Sequence, residues 1–320
     1  FLQNDESSGC MKRKIIYIIG GHRSGSTWLA KILNCLQGSL YIHEPCNVDW
    51  FYGFHTDLPK RWFNFHEDIP RKKFNNLVET LAKGRPSLLT FFSRAYTLRE
   101  LLRLVRAFVR GLFPNKIIII KDPFLTFVSK LLLDESSHIF FLYRDPCGFV
   151  ASIIKAGWTF PFREIIENTK LYDSLPEDIR DSIQDYCLKN EADLVAEGCI
   201  LWNMYTWYYL EYLSSSPQVL PLYYDDLAQN GKQSVMELYS SLELDDMRWN
   251  DNSLDKLLFG QISSNDAGLM ETSKTSSQVY RDWGNRLSED QVLRIRRHTD
   301  SRFIRPREHL EETNVSHALA

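Results

Sequence analysis

The sequence predicts an α/β protein with a central parallel sheet flanked by helices. Three short apolar runs carry that prediction: IIYII at 15–19, IIII at 117–120 and IFFL at 139–142. None alternates as a half-exposed strand would, and unbroken apolar runs of this length suit strands covered on both faces of a parallel sheet. Each run stops within two residues of a glycine or a charged residue. Open α/β sheets bind their ligands at that carboxyl edge.

The first run opens the segment IIYIIGGHRSGSTWLAKIL, Ile15 to Leu33, which reads as a strand, a turn rich in glycine and hydroxyl groups, and a helix over Ser26–Leu36. Unpaired N–H groups and the positive end of the helix dipole make such a turn an anion site. Ser24, Ser26 and Thr27 add hydroxyl donors, and Arg23 adds charge. Gly20, Gly25, Ser26 and Thr27 fall at the positions of the triphosphate loop GxxxxGK[ST], with Ser26 in place of the lysine. That loss argues against an ordinary ATP or GTP enzyme, in which the lysine reaches the β- and γ-phosphates. Arg23 stands three residues earlier to supply the charge.

After this helix, IHEPCN supplies Glu44 and His43. A carboxylate within hydrogen-bond reach of a hydroxyl can take its proton as it attacks. On an extended strand the two neighbours point to opposite faces, so one of them is expected at the site, and a lone histidine is more often a packed or surface residue. An aromatic stretch, Trp50 to Phe65, and a helix over Lys72–Lys83 read as an insertion at about 46–113. Its rings suit either stacking on a ligand or packing. The segment TLRELLRLVRAFVRGLF, 97–113, sets Arg99, Arg103, Arg106 and Arg110 along one side of a helix and leucines and valines along the other. A solvated basic face is the first expectation, and peripheral contact with a membrane surface the second.

The second run ends in IIIIKDPF, which brings Lys121 to a strand end. The third continues as RDPCGFVASIIKAGW, with Arg144 at the strand edge, Pro146 in the first helical turn and Ser152 two turns into the helix. A guanidinium fork and a hydroxyl so spaced can converge on one phosphate, the alternative being an Arg144–Asp145 surface pair and a solvent-facing Ser152. Farther on, Pro161–Asp185 reads as acidic and irregular, and Glu191–Tyr212 as a long helix rich in Trp and Tyr. QVLPLYYDDLAQNG reads as the last parallel strand, leading into a helix over Lys232–Leu242. KTSSQVYRDWGNRLSEDQV reads as a late loop, a segment containing Trp283, and a final helix.

In order and spacing these segments resemble sulfotransferases that use 3′-phosphoadenosine 5′-phosphosulfate (PAPS). The likeness is to the bacterial, carbohydrate and tyrosylprotein branches, since the RKGxxGDW loop of the cytosolic steroid and phenol enzymes is missing. The resemblance runs from Lys14 to about Arg297 and implies a P-loop-like three-layer fold with a central parallel sheet flanked by helices. It assigns Arg23, Ser24, Gly25, Ser26, Thr27 and Trp28 to the 5′-phosphosulfate, and Arg144 and Ser152 to the 3′-phosphate. It also assigns Tyr224, Thr275, Ser276 and Tyr280, with Trp283 as an alternative to Tyr280, to the nucleotide or the sulfuryl group. Glu44 becomes the base, Lys121 and Arg23 the stabilisers of developing charge, and PAP the product, with no metal required. The acceptor it implies is a hydroxyl of a carbohydrate or another hydroxylated metabolite, free, glycan-borne or attached to a carrier. A P-loop kinase-like phosphotransferase and a non-catalytic nucleotide-binding module are the alternatives.

Composition agrees with one domain. The 320 residues carry a formal charge of −3 and are 44% hydrophobic, enough for one large core and without the overall basicity that nucleic-acid binding favours. With no repeat or low-complexity divider, one domain is expected over 12–306, preceded by a remnant or linker at 1–11 and followed by a polar tail at 307–320. The cysteines Cys10, Cys35, Cys46, Cys147, Cys187 and Cys199 lack metal-ligand spacing. Reduced thiols and a cytoplasmic location are expected, or the Golgi lumen if an N-terminal anchor has been removed.

Overall fold

Strands β1 Lys14–Gly20, β2 Ser39–His43, β3 Ile117–Lys121, β4 His138–Tyr143 and β5 Val219–Tyr223 form one parallel sheet in the order β2-β3-β1-β4-β5. The computed structural model describes residues 13–300 apart from 55, 94, 114, 135, 136, 190, 243, 245–247 and 260–281. Its α-helices are α1 Ser26–Leu33, α2 Arg71–Ala82, α3 Leu98–Arg110, α4 Pro146–Ala156, α5 Arg163–Glu167, α6 Thr169–Ser174, α7 Glu177–Lys189 and α8 Leu194–Tyr208. Then follow α9 Tyr224–Asn230, α10 Lys232–Ser241, α11 Asp251–Phe259 and α12 Glu289–His298.

Strand alternation divides the apolar residues between two cores. Ile16, Ile18, Ile117, Ile119, Phe140 and Leu142 meet α1, α9, α10 and α11 on one face. Tyr17, Ile19, Ile118, Ile120, Ile139 and Phe141 meet α2, α4 and α8 on the other. The result is the three-layer α/β arrangement expected from the sequence, and it explains why Ile117–Ile120 are buried without a break. The central strand β1 lies between β3 and β4, so the chain leaves it toward one side of the sheet and later crosses to the other. Its carboxyl end is therefore the topological switch point, where such sheets bind ligands. In the register Lys121 lies beside both Ile18 and His43, and Gly20 beside Leu142, so four strand ends meet at that edge.

Three element readings change. The first helix stops at Leu33 instead of Leu36, because Cys35 and Gln37 turn away to bond the backbone at Asn250 and Arg248. The acidic stretch 161–185 is helical as α5, α6 and most of α7, with Ile165, Leu171, Ile179 and Ile183 buried beneath exposed acids. The long aromatic helix begins at Leu194, capped by the Asp193 carboxylate, which accepts from Ala196 N–H at 3.1 Å, and continues past Tyr208 into a single π-turn, Tyr209–Leu213. The cysteines among the described residues are free thiols.

Candidate active site

The turn between β1 and α1 depends on its glycines. At Gly20 (φ +119°) a Cβ would lie 2.2 Å from Leu142 O, so only glycine lets β1 pass β4 there. Gly25 (φ +95°) begins α1, and a Cβ there would lie 2.3 Å from the Tyr224 ring. Because Gly25 offers no side-chain cap, the N–H groups of Ser26 and Thr27 remain for an anion, while Trp28 N–H donates to Gly25 O at 3.0 Å. Ser24 Oγ donates to Gly21 O at 2.7 Å and tightens the turn. Between these residues Arg23 takes a left-handed backbone (φ +68°), a conformation costly for a side chain of its size and one that collects at functional sites.

Arg23 leaves the loop toward α4. Its Nε donates to Ser152 Oγ at 3.1 Å, and its guanidinium lies 5.3 Å from the centre of the Trp158 ring. Arg144 emerges from the end of β4 and holds its guanidinium 4.8 Å from the centre of the Tyr224 ring, which in turn meets Trp28 edge-on at 5.6 Å. The structure thus gathers Arg23, Ser24, Gly25, Ser26, Trp28, Arg144, Ser152 and Tyr224 around the start of α1. Asp145 does other work, capping α4 at Cys147 N–H (2.8 Å) and pairing with Arg296 (2.9 Å). Burial lowers the pKa of Arg23, and the charge of Arg144 lowers it further. A half-buried and a buried guanidinium that repel each other, Arg23 and Arg144, beside uncapped N–H groups fit a doubly anionic ligand.

The second half of the site forms where β2 and β3 end. Glu44 N–H donates to Lys121 O at 2.8 Å, and the chain then turns with Glu44 in a left-handed conformation (φ +40°). This turn brings Glu44 Oε1 against Lys121 Nζ as a buried ion pair, while Asn47 Nδ2 donates to Glu44 Oε2 at 2.6 Å. Burial opposes the charge on Glu44, but Lys121, His43 and the Asn47 hydrogen bond outweigh it and hold the carboxyl down at about 2.

Asp122 holds the turn from below. Its carboxylate accepts from Cys46 N–H at 2.7 Å and Phe124 N–H at 3.0 Å, while Thr126 Oγ1 bonds both N–H and O of Gly20. The KDPF segment and the residues after it therefore join the Glu44 turn to the base of the loop between β1 and α1. His43 does not point away from Glu44 as an extended strand would require. The strand ends at His43, and the left-handed turn brings Glu44 Oε1 to 4.0 Å from His43 Nε2. His43 Nδ1 hydrogen-bonds Tyr41 Oη at 2.6 Å, and burial pushes its pKa down to about 4, so the ring is neutral near pH 7.

Sequence reasoning passed over His22 and Asn47. His22 is buried beside Arg23, bonds Tyr205 Oη at 2.9 Å and meets the rings of Trp62 and Phe124. Burial lowers its pKa to about 3, and the charges of Glu44, Lys121 and Arg23 all reach it, so it bridges the two halves of the site. Its place between Gly21 and Arg23 was the available signal. Trp283 packs near Gly148, whose added Cβ would lie 2.7 Å from Arg144 Nε and 3.4 Å from Trp283 Cδ1. Thr275, Ser276 and Tyr280 lie outside the described residues. Among the described residues no group of three or more His, Cys, Asp or Glu side chains is placed to hold a metal ion.

Comparison with known proteins adds an independent finding. No curated protein matches the chain. Solved structures that resemble it include the sulfotransferase domain from the curacin biosynthetic pathway, at 16% identity and a TM-score of 0.45 over 89% of this chain and 96% of that one. Another is the sulfotransferase domain of the Synechococcus PCC 7002 olefin synthase, at 14% identity and a TM-score of 0.42 over 92% of this chain and 98% of that one. A third is mouse sulfotransferase SULT7A1 complexed with PAP, at 12% identity and a TM-score of 0.41 over 89% of this chain and 83% of that one. The sulfotransferase domain family model matches residues 13–313, which is nearly the whole chain, and the chain belongs to that family.

Proposed function

We propose that the protein transfers the sulfuryl group of PAPS to a hydroxyl of a carbohydrate or similar hydroxylated acceptor, with Glu44 as the base. The observation that carries this reading is the bond from Arg23 to Ser152, which joins the turn before α1 to the helix that follows Arg144. PAPS supplies the sulfuryl group, which leaves the 5′-phosphate oxygen as the acceptor oxygen bonds to sulfur. Arg23, Ser26, Thr27 and the first two N–H groups of α1 hold the phosphosulfate end in the turn that Ser24 tightens, and Arg144 and Ser152 hold the 3′-phosphate beside Tyr224.

Glu44 is ionised at neutral pH and takes the acceptor proton. While paired with Lys121 it is a weak base, so Lys121 turns from Glu44 toward the sulfuryl oxygens as the site fills. That movement strengthens the base and delivers positive charge where negative charge develops. The half-buried Trp62 and Trp158 pack against His22 and are flat apolar rings of the kind that stack on sugars. The test is PAP release from PAPS across a panel of saccharides and other alcohols, with the sulfated product identified by mass spectrometry. Release that requires an acceptor hydroxyl supports the reading, and no transfer to any hydroxyl acceptor from tightly bound PAPS overturns it.

A further inference from the structure

The apolar side of α3 is turned outward. Leu98, Leu101, Leu102, Val105 and Val109 form one stripe along the helix, with exposures of 74, 39, 48, 41 and 46%. The stripe continues into Leu112 and Phe113 after the helix, and is joined by Leu88, Leu89 and Phe92 (64, 78 and 87% exposed) in the 3₁₀ turn before it. The helix holds to the protein by a different side. Leu104 is fully buried, and Ala107 lies so close to Gly53 that a Cβ on the glycine would come within 2.9 Å. Arg103 Nη1 donates to Phe51 O at 3.1 Å, and its guanidinium lies 5.2 Å from the centre of the Tyr52 ring.

A row of cations borders the stripe. Arg99, Arg106 and Arg110 are exposed along one edge of it, and Arg85 is exposed in the preceding turn with its guanidinium 5.7 Å from the centre of the Phe108 ring. The acid of the same helix, Glu100, is engaged in the capping box with Thr97. The whole chain carries −3, so this positive charge is a local placement and not a general property of the surface.

We propose that α3 and the turn before it form a docking surface for anionic lipid bilayers. Parallel aliphatic and guanidinium rows on one helix match the two depths of a bilayer interface: alkyl groups at the acyl boundary, cations at the headgroup phosphates. A second copy of the chain would instead bring two cationic rows of the same sign together. Among the described residues no helix is long and apolar enough to cross a membrane, so the contact lies along the surface. It would set the cleft of ≈270 Å³ formed by α3 with Tyr41, His43 and Tyr52 at the lipid–water boundary, next to Glu44. The surface stands on exposure and charge and does not depend on the sulfuryl-transfer reading.

The test is flotation of the full chain with vesicles of phosphatidylcholine alone and of phosphatidylcholine mixed with phosphatidylglycerol. The expected result is binding to the mixed vesicles that weakens as salt is raised. Arg99→Gln, Arg106→Gln and Arg110→Gln together should lower that affinity on the order of a hundredfold. Leu102→Asp with Val105→Asp should abolish it, leaving the thermal midpoint and PAP binding unchanged because both positions are exposed. Absence of wild-type binding, or binding untouched by both sets of substitutions, overturns the proposal. So does a wild-type dimer in sedimentation that Leu102→Asp with Val105→Asp converts to monomer, which would assign the face to a second copy.

Discussion

Arg23 and Ser152, 129 residues apart in the chain, are joined by a hydrogen bond of 3.1 Å. The bond ties the loop after β1 to the helix after β4, so one ligand can touch both. Ser152→Ala removes the hydroxyl that holds Arg23 and that the proposed function sets on the 3′-phosphate. It should weaken PAP binding roughly 10- to 150-fold, the scale of a hydrogen bond to a charged partner. Calorimetric titration checks this, and unchanged affinity would show that Ser152 only packs.

Glu44→Gln keeps the shape of the side chain and removes the proton acceptor. Sulfuryl transfer should fall by roughly 10²- to 10⁴-fold while PAP affinity stays within a factor of a few. Single-turnover transfer measured beside PAP titration separates the two effects. Activity close to wild type would transfer the role of base to another group, with His43 the nearest rival.

Lys121→Met leaves Glu44 buried without its countercharge. The wild-type carboxyl titrates at about 2, below its ordinary 4.5, so it contributes stability that is full above 4.5 and lost as pH falls through 2. Without Lys121, burial dominates and raises that pKa above its ordinary value, and the sign reverses: stability is then lost as pH rises. Thermal midpoints across pH 3–8 should show the variant destabilised most at neutral pH, by roughly 3–5 kcal/mol. A constant offset at every pH would contradict this assignment.

Asp122 works in the opposite sense. Burial first and the charge of Glu44 next raise its carboxyl from 3.8 to about 7. Its contribution to stability is therefore full below 3.8 and declines as pH rises through 7. Asp122→Asn cannot ionise yet keeps an acceptor oxygen, so it should lose more stability relative to wild type at pH 5 than at pH 8. Equal losses at the two pH values would mean that the carboxyl titrates normally.

The glycine turn after β1 and the doubly covered strands were legible because short-range spacing alone fixes which residues share an edge, whereas the approach of Ser152 to Arg23 across 129 residues was not. The Glu44 turn was not. Its left-handed backbone is held by Lys121 and Asp122, 77 and 76 residues distant from their partners Glu44 and Cys46, and no local pattern announces it. The orientation of α3 was hidden for a related reason. An apolar stripe predicts burial by default, but the small pair Gly53 and Ala107 lets the helix dock by another side. The acidic stretch 161–185 looked irregular because charged residues occupy the outer faces of short helices whose buried isoleucines and leucine are few.

The most direct measurement of the central claim is calorimetric binding of PAP to the purified chain without added metal, set beside ATP with magnesium, for wild type and Arg144→Ala. The account predicts metal-independent PAP binding that falls at least tenfold on removal of the Arg144 guanidinium, a loss of about 1.4 kcal/mol or more. Binding of ATP with magnesium but not of PAP, or PAP binding indifferent to Arg144, would contradict it.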